Sequence, residues 1–170
     1  LQNISSEISD DQKNELQQLL ANSVNAARAA ADINPNNAIN LSTSGYVYQN
    51  LLGLIPDADK WALQQYDEAL KIDPNNPYIW MQRGNVSLML VQRLSQDQLN
   101  QKNQLLSDAQ KDLEKATELN PNYSDALYSL GLVYDAQGSR SKAIETFTLI
   151  KQLNPDDKTI AQILINLNAG

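Results

Sequence analysis

SDALYSLGLVYDAQGSRSKAIETFTLIKQLNPDD, residues 124–157, decides how the whole chain is read. In its second half Ala143, Phe147 and Ile150 recur at i, i+4 and i+7, one face of a helix, and Asn154-Pro155 stops it. Three more prolines, Pro35, Pro74 and Pro121, also follow Asn or Asp and close Ala- or Leu-rich stretches. The four stand 39, 47 and 34 residues apart. The last interval is the length of a two-helix repeat, and the others read as the same length with 5 and 13 residues inserted.

Counted back from each proline, the equivalents of Ala143 are Ala62 and Ala109, those of Phe147 are Tyr66 and Leu113, and those of Ile150 are Ala69 and Ala116. Counted forward, Gly45, Gly84 and Gly131 share one register, with Leu41, Trp80 and Leu127 four residues before them and Tyr48, Ser87 and Tyr134 three after. Small Gly and Ala let helices approach closely while the large residues fill the space between them. In this register the chain resembles the tetratricopeptide repeat (TPR) family. Leu127, Leu130, Gly131, Tyr134, Ala143, Phe147 and Pro155 carry the likeness most fully, and Ser44, Arg83 and Ser87 depart from it. The resemblance implies an all-α fold, a right-handed superhelix (α-solenoid) of antiparallel pairs with about eight helices and no β-sheet. At Ser44 and Arg83 weaker core packing is expected.

The ruler divides the chain into a truncated repeat (1–35), a first repeat with a short insert (36–74), a second with a lengthened hairpin (75–121), a third (122–155) and a closing helix (156–170). Ser9 and Gln12 form a capping box for a helix running to about Ile33, with Ala27 and Ala30 on its apolar face. Leu1 to Ser6 read as the end of a missing partner helix, so the array is expected to begin further upstream. In the first insert Gly53 and Pro56 break the helix and Asp57 or Asp59 caps the next. The second insert holds neither Gly nor Pro, so both helices of that pair are expected to be longer by nearly two turns, with Ser95 and Gln98 as a capping box.

Composition narrows the function. The 170 residues contain no Cys and no His, which removes thiolate chemistry, disulfides, the commonest general base and the commonest transition-metal ligand. No cofactor, metal site or catalytic residue is expected. The net charge of −7 repels nucleic acid and anionic membranes, and apolar runs fall short of a membrane span. The paired acids Asp57/Asp59, Asp67/Glu68 and Asp156/Asp157 read as caps and solvated surface. Sequons at Asn3, Asn40, Asn85 and Asn122 are what an Asn-rich chain contains by chance.

What the resemblance implies about function is a concave groove lined by the first helices, holding a peptide or helix. Its positions here supply Tyr46 and Gln49, then Tyr78, Met81, Gln82 and Asn85, then Asp125, Tyr128, Leu132 and Asp135. The expected activity is a non-catalytic protein-interaction scaffold whose partner is another protein or peptide. The family's grip on heat-shock-protein C-terminal carboxylates needs Lys, Asn and Arg where this chain has Ser42, Tyr46, Gln82, Asp125 and Ser129, so that mode is excluded. Two alternatives stand beside it. One is self-association. The other follows from a resemblance of residues 20 to 80 to TPR tails of bacterial O-antigen polymerase or ligase-like membrane proteins, which would put the domain outside the cytoplasm. Otherwise the compartment stays open, cytoplasm included.

Overall fold

The computed structural model describes residues 9–169. Among them are eight α-helices: α1 (Asp10–Ile33), α2 (Ala38–Asn50), α3 (Ala58–Ile72), α4 (Pro77–Val91), α5 (Leu99–Leu119), α6 (Ser124–Ala136), α7 (Arg140–Leu153) and α8 (Lys158–Ala169). The described residues contain no strand beyond an isolated bridge between Leu52 and Ile55. The expected partner of α1, at Leu1 to Ser6, lies outside the described residues. The chain falls into two compact units, Leu1–Pro74 and Asn75–Gly170.

The proline joints work as tight turns. Asn37, Tyr123 and Asp157 each donate a backbone N–H to the carbonyl three residues earlier, at 3.1, 3.1 and 3.2 Å, with proline second in the turn, where its fixed φ fits. The residues after proline then cap the next helix. The Asn37 side chain accepts from the N–H groups of Ile39 and Asn40, Asn76 from Tyr78, and Asp157 from Thr159 and Ile160. Only α6 differs, starting after Tyr123 with no side-chain cap. The Ser9–Gln12 capping box of α1 is present with both of its hydrogen bonds.

In the first unit α2 packs between α1 and α3. The fully buried Tyr66 of α3 lies flat under Gly45, where a Cβ would come within 3.0 Å of its ring. Its hydroxyl donates to Gln49 Oε1 at 2.7 Å. Tyr48 stacks on Trp61, centroids 6.3 Å apart, and Ala27 of α1 is completely buried.

The second unit packs α4 to α8 in sequence, each helix against the next, with α4 also touching α6. One apolar cluster runs through it, from Met81 and Leu113 to Phe147, Ile160 and Leu167. Gly131 is required by the Phe147 ring, which a Cβ there would meet at 2.7 Å, and Gly84 by Leu113 at 2.9 Å.

Both inserts settle differently from expectation. The pair α6/α7 has helices of 13 and 14 residues joined by 3. Against it, α4 is two residues longer, its connection to α5 (92–98) is four longer, and α5 is seven longer. So the 13 extra residues lengthen α5 by two turns and scarcely lengthen α4; the expectation of two equally extended helices is corrected. Residues 92–98 close instead through turn hydrogen bonds, Arg93 to Leu90 O, Leu94 to Val91 O and Gln98 to Ser95 O. The Ser95–Gln98 capping box does not form. Gln98 Oε1 accepts from the Ser95 N–H and hydroxyl, but the helix starts only at Leu99, with no side-chain cap. In the first insert Asp57 occupies the N-cap position of α3 without capping it. Its backbone is left-handed (φ 57°), and its carboxylate takes the Lys60 ammonium at 2.6 Å instead.

Arg83 is half-buried beside the core with compensation that its position in the sequence did not announce. Its guanidinium makes a two-pronged bond to Asp112 of α5, at 2.8 and 2.6 Å, and lies 4.6 Å over the Trp80 ring. Planar, forked Arg suits this geometry, whereas a point-charge Lys would not. The other departure is uncompensated: Ser44 is fully buried and its hydroxyl has no hydrogen-bond partner.

Candidate peptide-binding face

A helix whose inner face packs on its pair leaves an outer stripe open, and the family resemblance is what implies that ten residues of such stripes line a groove. On α2 of the first unit, Tyr46 is 45% exposed, whereas Gln49 is turned inward and consumed by Tyr66. In the second unit α4 and α6 run side by side. On α4 the ring of Tyr78 is exposed, Asn85 is half-buried, and Met81 and Gln82 are buried, the first inside the apolar cluster and the second donating its amide to the Tyr78 hydroxyl at 2.9 Å. Gln49, Met81 and Gln82 therefore build the face from behind. The sequence spacing places all of these residues on one side of their helices; only the packing separates surface from support.

On α6, Asp125 and Asp135 are exposed, Tyr128 and Leu132 half-buried. Successive steps of three, four and three residues hold the four within a narrow arc of the helix. Tyr128 sets its ring edge-on to Phe147 of α7, 5.9 Å between centroids, so its position is fixed from beneath. Beside Leu132 and Asp135 a cleft of 370 Å³ opens between α6, α7 and α8, floored by Phe147, Ile163 and Leu167, with Asn166 at its edge. Arg140 also borders the cleft and donates to the Leu167 carbonyl. At the start of α6, Tyr123 has its phenol pKa pushed up by burial, then by the charge of Asp125 and by Tyr78. That coupling puts the first turns of α4 and α6 within electrostatic reach of each other.

A second cleft of 540 Å³ lies between α6 and α7, floored by Leu127, Leu130 and Leu149. Tyr134 borders it. Its hydroxyl donates to Glu114 of α5 at 2.8 Å, and its ring carries the Lys142 ammonium at 5.1 Å. Burial, the bond to Glu114 and nearby negative charge push its pKa up to about 12. The sequence reading marked Tyr134 as a packing residue and missed this polar partner, which sits twenty residues earlier on another helix.

Chemically the exposed face offers aromatic rings, an amide and two carboxylates. Among the described residues there is no group of three metal-ligating side chains, and no helix is long and apolar enough to cross a membrane.

The fold defines a helical-repeat protein, an architecture of the protein-interaction scaffold class. Two family models match the chain, one described as TPR repeat over residues 60–90 and one as Tetratricopeptide repeat over 102–166, together more than half of its length. The chain belongs to the tetratricopeptide repeat family. Its likeness extends to solved structures. MamA is 22% identical with a TM-score of 0.69, covering 94% of this chain and 83% of its own. The first TPR of Spaghetti (RPAP3), bound to the HSP90 peptide SRMEEVD, is 19% identical with a TM-score of 0.63, covering 78% of this chain and 93% of its own. The Arabidopsis OM64 TPR domain is 16% identical with a TM-score of 0.61, covering 86% of this chain and 97% of its own. No curated protein matches the sequence. None of these matches supports the resemblance to O-antigen polymerase tails.

Proposed function

We propose that this chain is a non-catalytic scaffold that holds a peptide or helical segment of another protein against the outer stripes of its first helices. The reading rests on a repeat division into 36–74, 75–121 and 122–155, flanked by a lone helix before Pro35 and a closing one after Pro155; the pairs α2/α3, α4/α5 and α6/α7 support it. The observation that carries the function is the α4/α6 face. Exposed Tyr78 and partly open Tyr128 and Leu132 supply rigid contact area, and Asn85 can pair with a ligand backbone.

The partner differs in kind from that of RPAP3, whose structure holds an acidic heat-shock peptide. At the positions a carboxylate grip requires, this chain has Ser42, Gln82 and Ser129, all buried, together with Tyr46 and Asp125. None is a cation. An HSP90-type peptide therefore finds no counter-charge there.

The test is equilibrium binding of the full chain to a displayed peptide library, followed by anisotropy titration of the selected peptides. Saturable binding that falls about tenfold or more with Tyr78→Ala is expected for loss of one aromatic anchor. Absence of any saturable ligand, or binding indifferent to Tyr78→Ala and Asn85→Ala together, counts against the proposal.

A further inference from the structure

We infer that the α6 stripe Asp125, Tyr128, Leu132 and Asp135 docks an extended, basic segment with two Lys or Arg side chains flanking one apolar residue. The inference rests on the scaffold reading above and adds the chemistry of the partner.

Charge complementarity carries it. Both carboxylates are exposed, and neither is ion-paired among the described residues. The expected groove positions of α4 and α6 contain no Lys or Arg at all. Of the cations that do come near, Arg83 is bound to Asp112, while Arg140 is held to the neutral Leu167 carbonyl and keeps its charge at the cleft edge, so the apolar residue, not a basic one, enters the cleft. A segment laid along α6 thus meets acid, aromatic, apolar and acid in turn. Tyr78 and Tyr128 add ring faces that attract a cation.

Geometry sets the spacing. Asp125 and Asp135 are ten residues apart on one helix, about 15 Å along its axis. An extended chain covers that distance in about four or five residues. Between the two acids Leu132 opens onto the cleft floored by Phe147 and Ile163, which suits one aliphatic side chain. An extended ligand also brings unpaired backbone groups, and Asn85 and Asn166 offer amides on either side of the stripe.

The experiment uses the full chain and three synthetic peptides: one with two lysines about five residues apart around a central leucine, one with glutamates replacing the lysines, and one with glutamines. The lysine peptide is expected to bind, to weaken as salt rises, and to lose about tenfold in affinity with Asp125→Asn and Asp135→Asn together. Circular dichroism reports whether the variant stays folded, and the salt titration of the unaltered chain tests the same point without any substitution. Equal binding of the glutamine or glutamate peptide, or salt-independent binding of the lysine peptide, overturns the basic-partner inference. The scaffold reading survives that result if the binding is lost with Tyr78→Ala. Failure of every peptide here and in the library overturns both.

Discussion

At the scale of single residues, two departures from the repeat pattern behave oppositely. Arg83 and Asp112 are side chains with 21% and 7% exposure, each holding the other's charge. Replacing Arg83 by Leu strands a buried carboxylate and is expected to cost about 3 kcal/mol. Adding Asp112→Leu restores most of the loss, because two apolar side chains need no partner. Urea denaturation of the two single variants and the double variant measures this, and additive losses would show the pair to be unimportant. Ser44 is the reverse case. Its buried hydroxyl bonds to nothing, so Ser44→Ala is expected to leave stability unchanged or raise it by about 1 kcal/mol, read from the same denaturation midpoint. The sequence marked both positions as anomalies. It could not tell them apart, since Arg83's partner lies 29 residues away on a different helix.

At the scale of elements, α5 is the individual feature. Its first two turns reach beyond the cluster: Leu99, Gln101, Asn103 and Gln104 are exposed, while Leu106, Ala109, Leu113 and Ala116 are buried. No side chain caps its start. Hydrogen exchange should therefore show amides of residues 100–105 opening well before those of 109–119; uniform protection along α5 would contradict the packing described. The joint between α5 and α6 has a pH signature. The Tyr134 phenol, with its pKa raised to about 12, favours the folded state while it stays protonated. Its contribution is complete below the unfolded phenol pKa of about 10 and is lost as pH rises from there through about 12. Thermal melting across that alkaline window should fall more steeply for the unaltered protein than for Tyr134→Phe. Parallel curves would argue that neither burial nor the bond to Glu114 raises this phenol in the folded state.

How much of the elements was legible follows the same division. The capping box of α1, the proline turns and the Gly45, Gly84 and Gly131 register rest on contacts within a few residues or on a fixed spacing, and the sequence displays such things directly. The fate of the inserts was not legible. Thirteen residues of helix-forming composition can extend either helix or the connection, and what decides is where buried side chains run out: α4 ends at Val91, the last residue of its buried face, and α5 has no fully buried side chain before Leu106.

For the molecule as a whole, each helix in the second unit packs mainly on its sequence neighbours. Stability then adds along the array instead of depending on distant contacts. Removing α8 after Asp157 uncovers one side of Phe147 and takes away Ile160 and Leu167, so the thermal midpoint should drop. Helix content should fall by about one helix of the eight, because the loss does not spread. A collapse of the whole circular-dichroism signal would show a more global cooperativity than this packing provides.

By itself the sequence determined the repeat: which residues are small, which large, where each helix must stop, and that the chemistry of Cys and His is absent. Those are properties of composition and spacing, and one dimension is enough to hold them. Only the tertiary structure decided that Arg83 is paired and Ser44 is not, that the second insert goes mostly to α5 and its connection, and that Gln49, Met81 and Gln82 stand behind the surface while Tyr78, Asp125 and Asp135 stand on it. The reason is that burial and pairing belong to the space between helices, where residues far apart in the chain either meet or leave a group exposed.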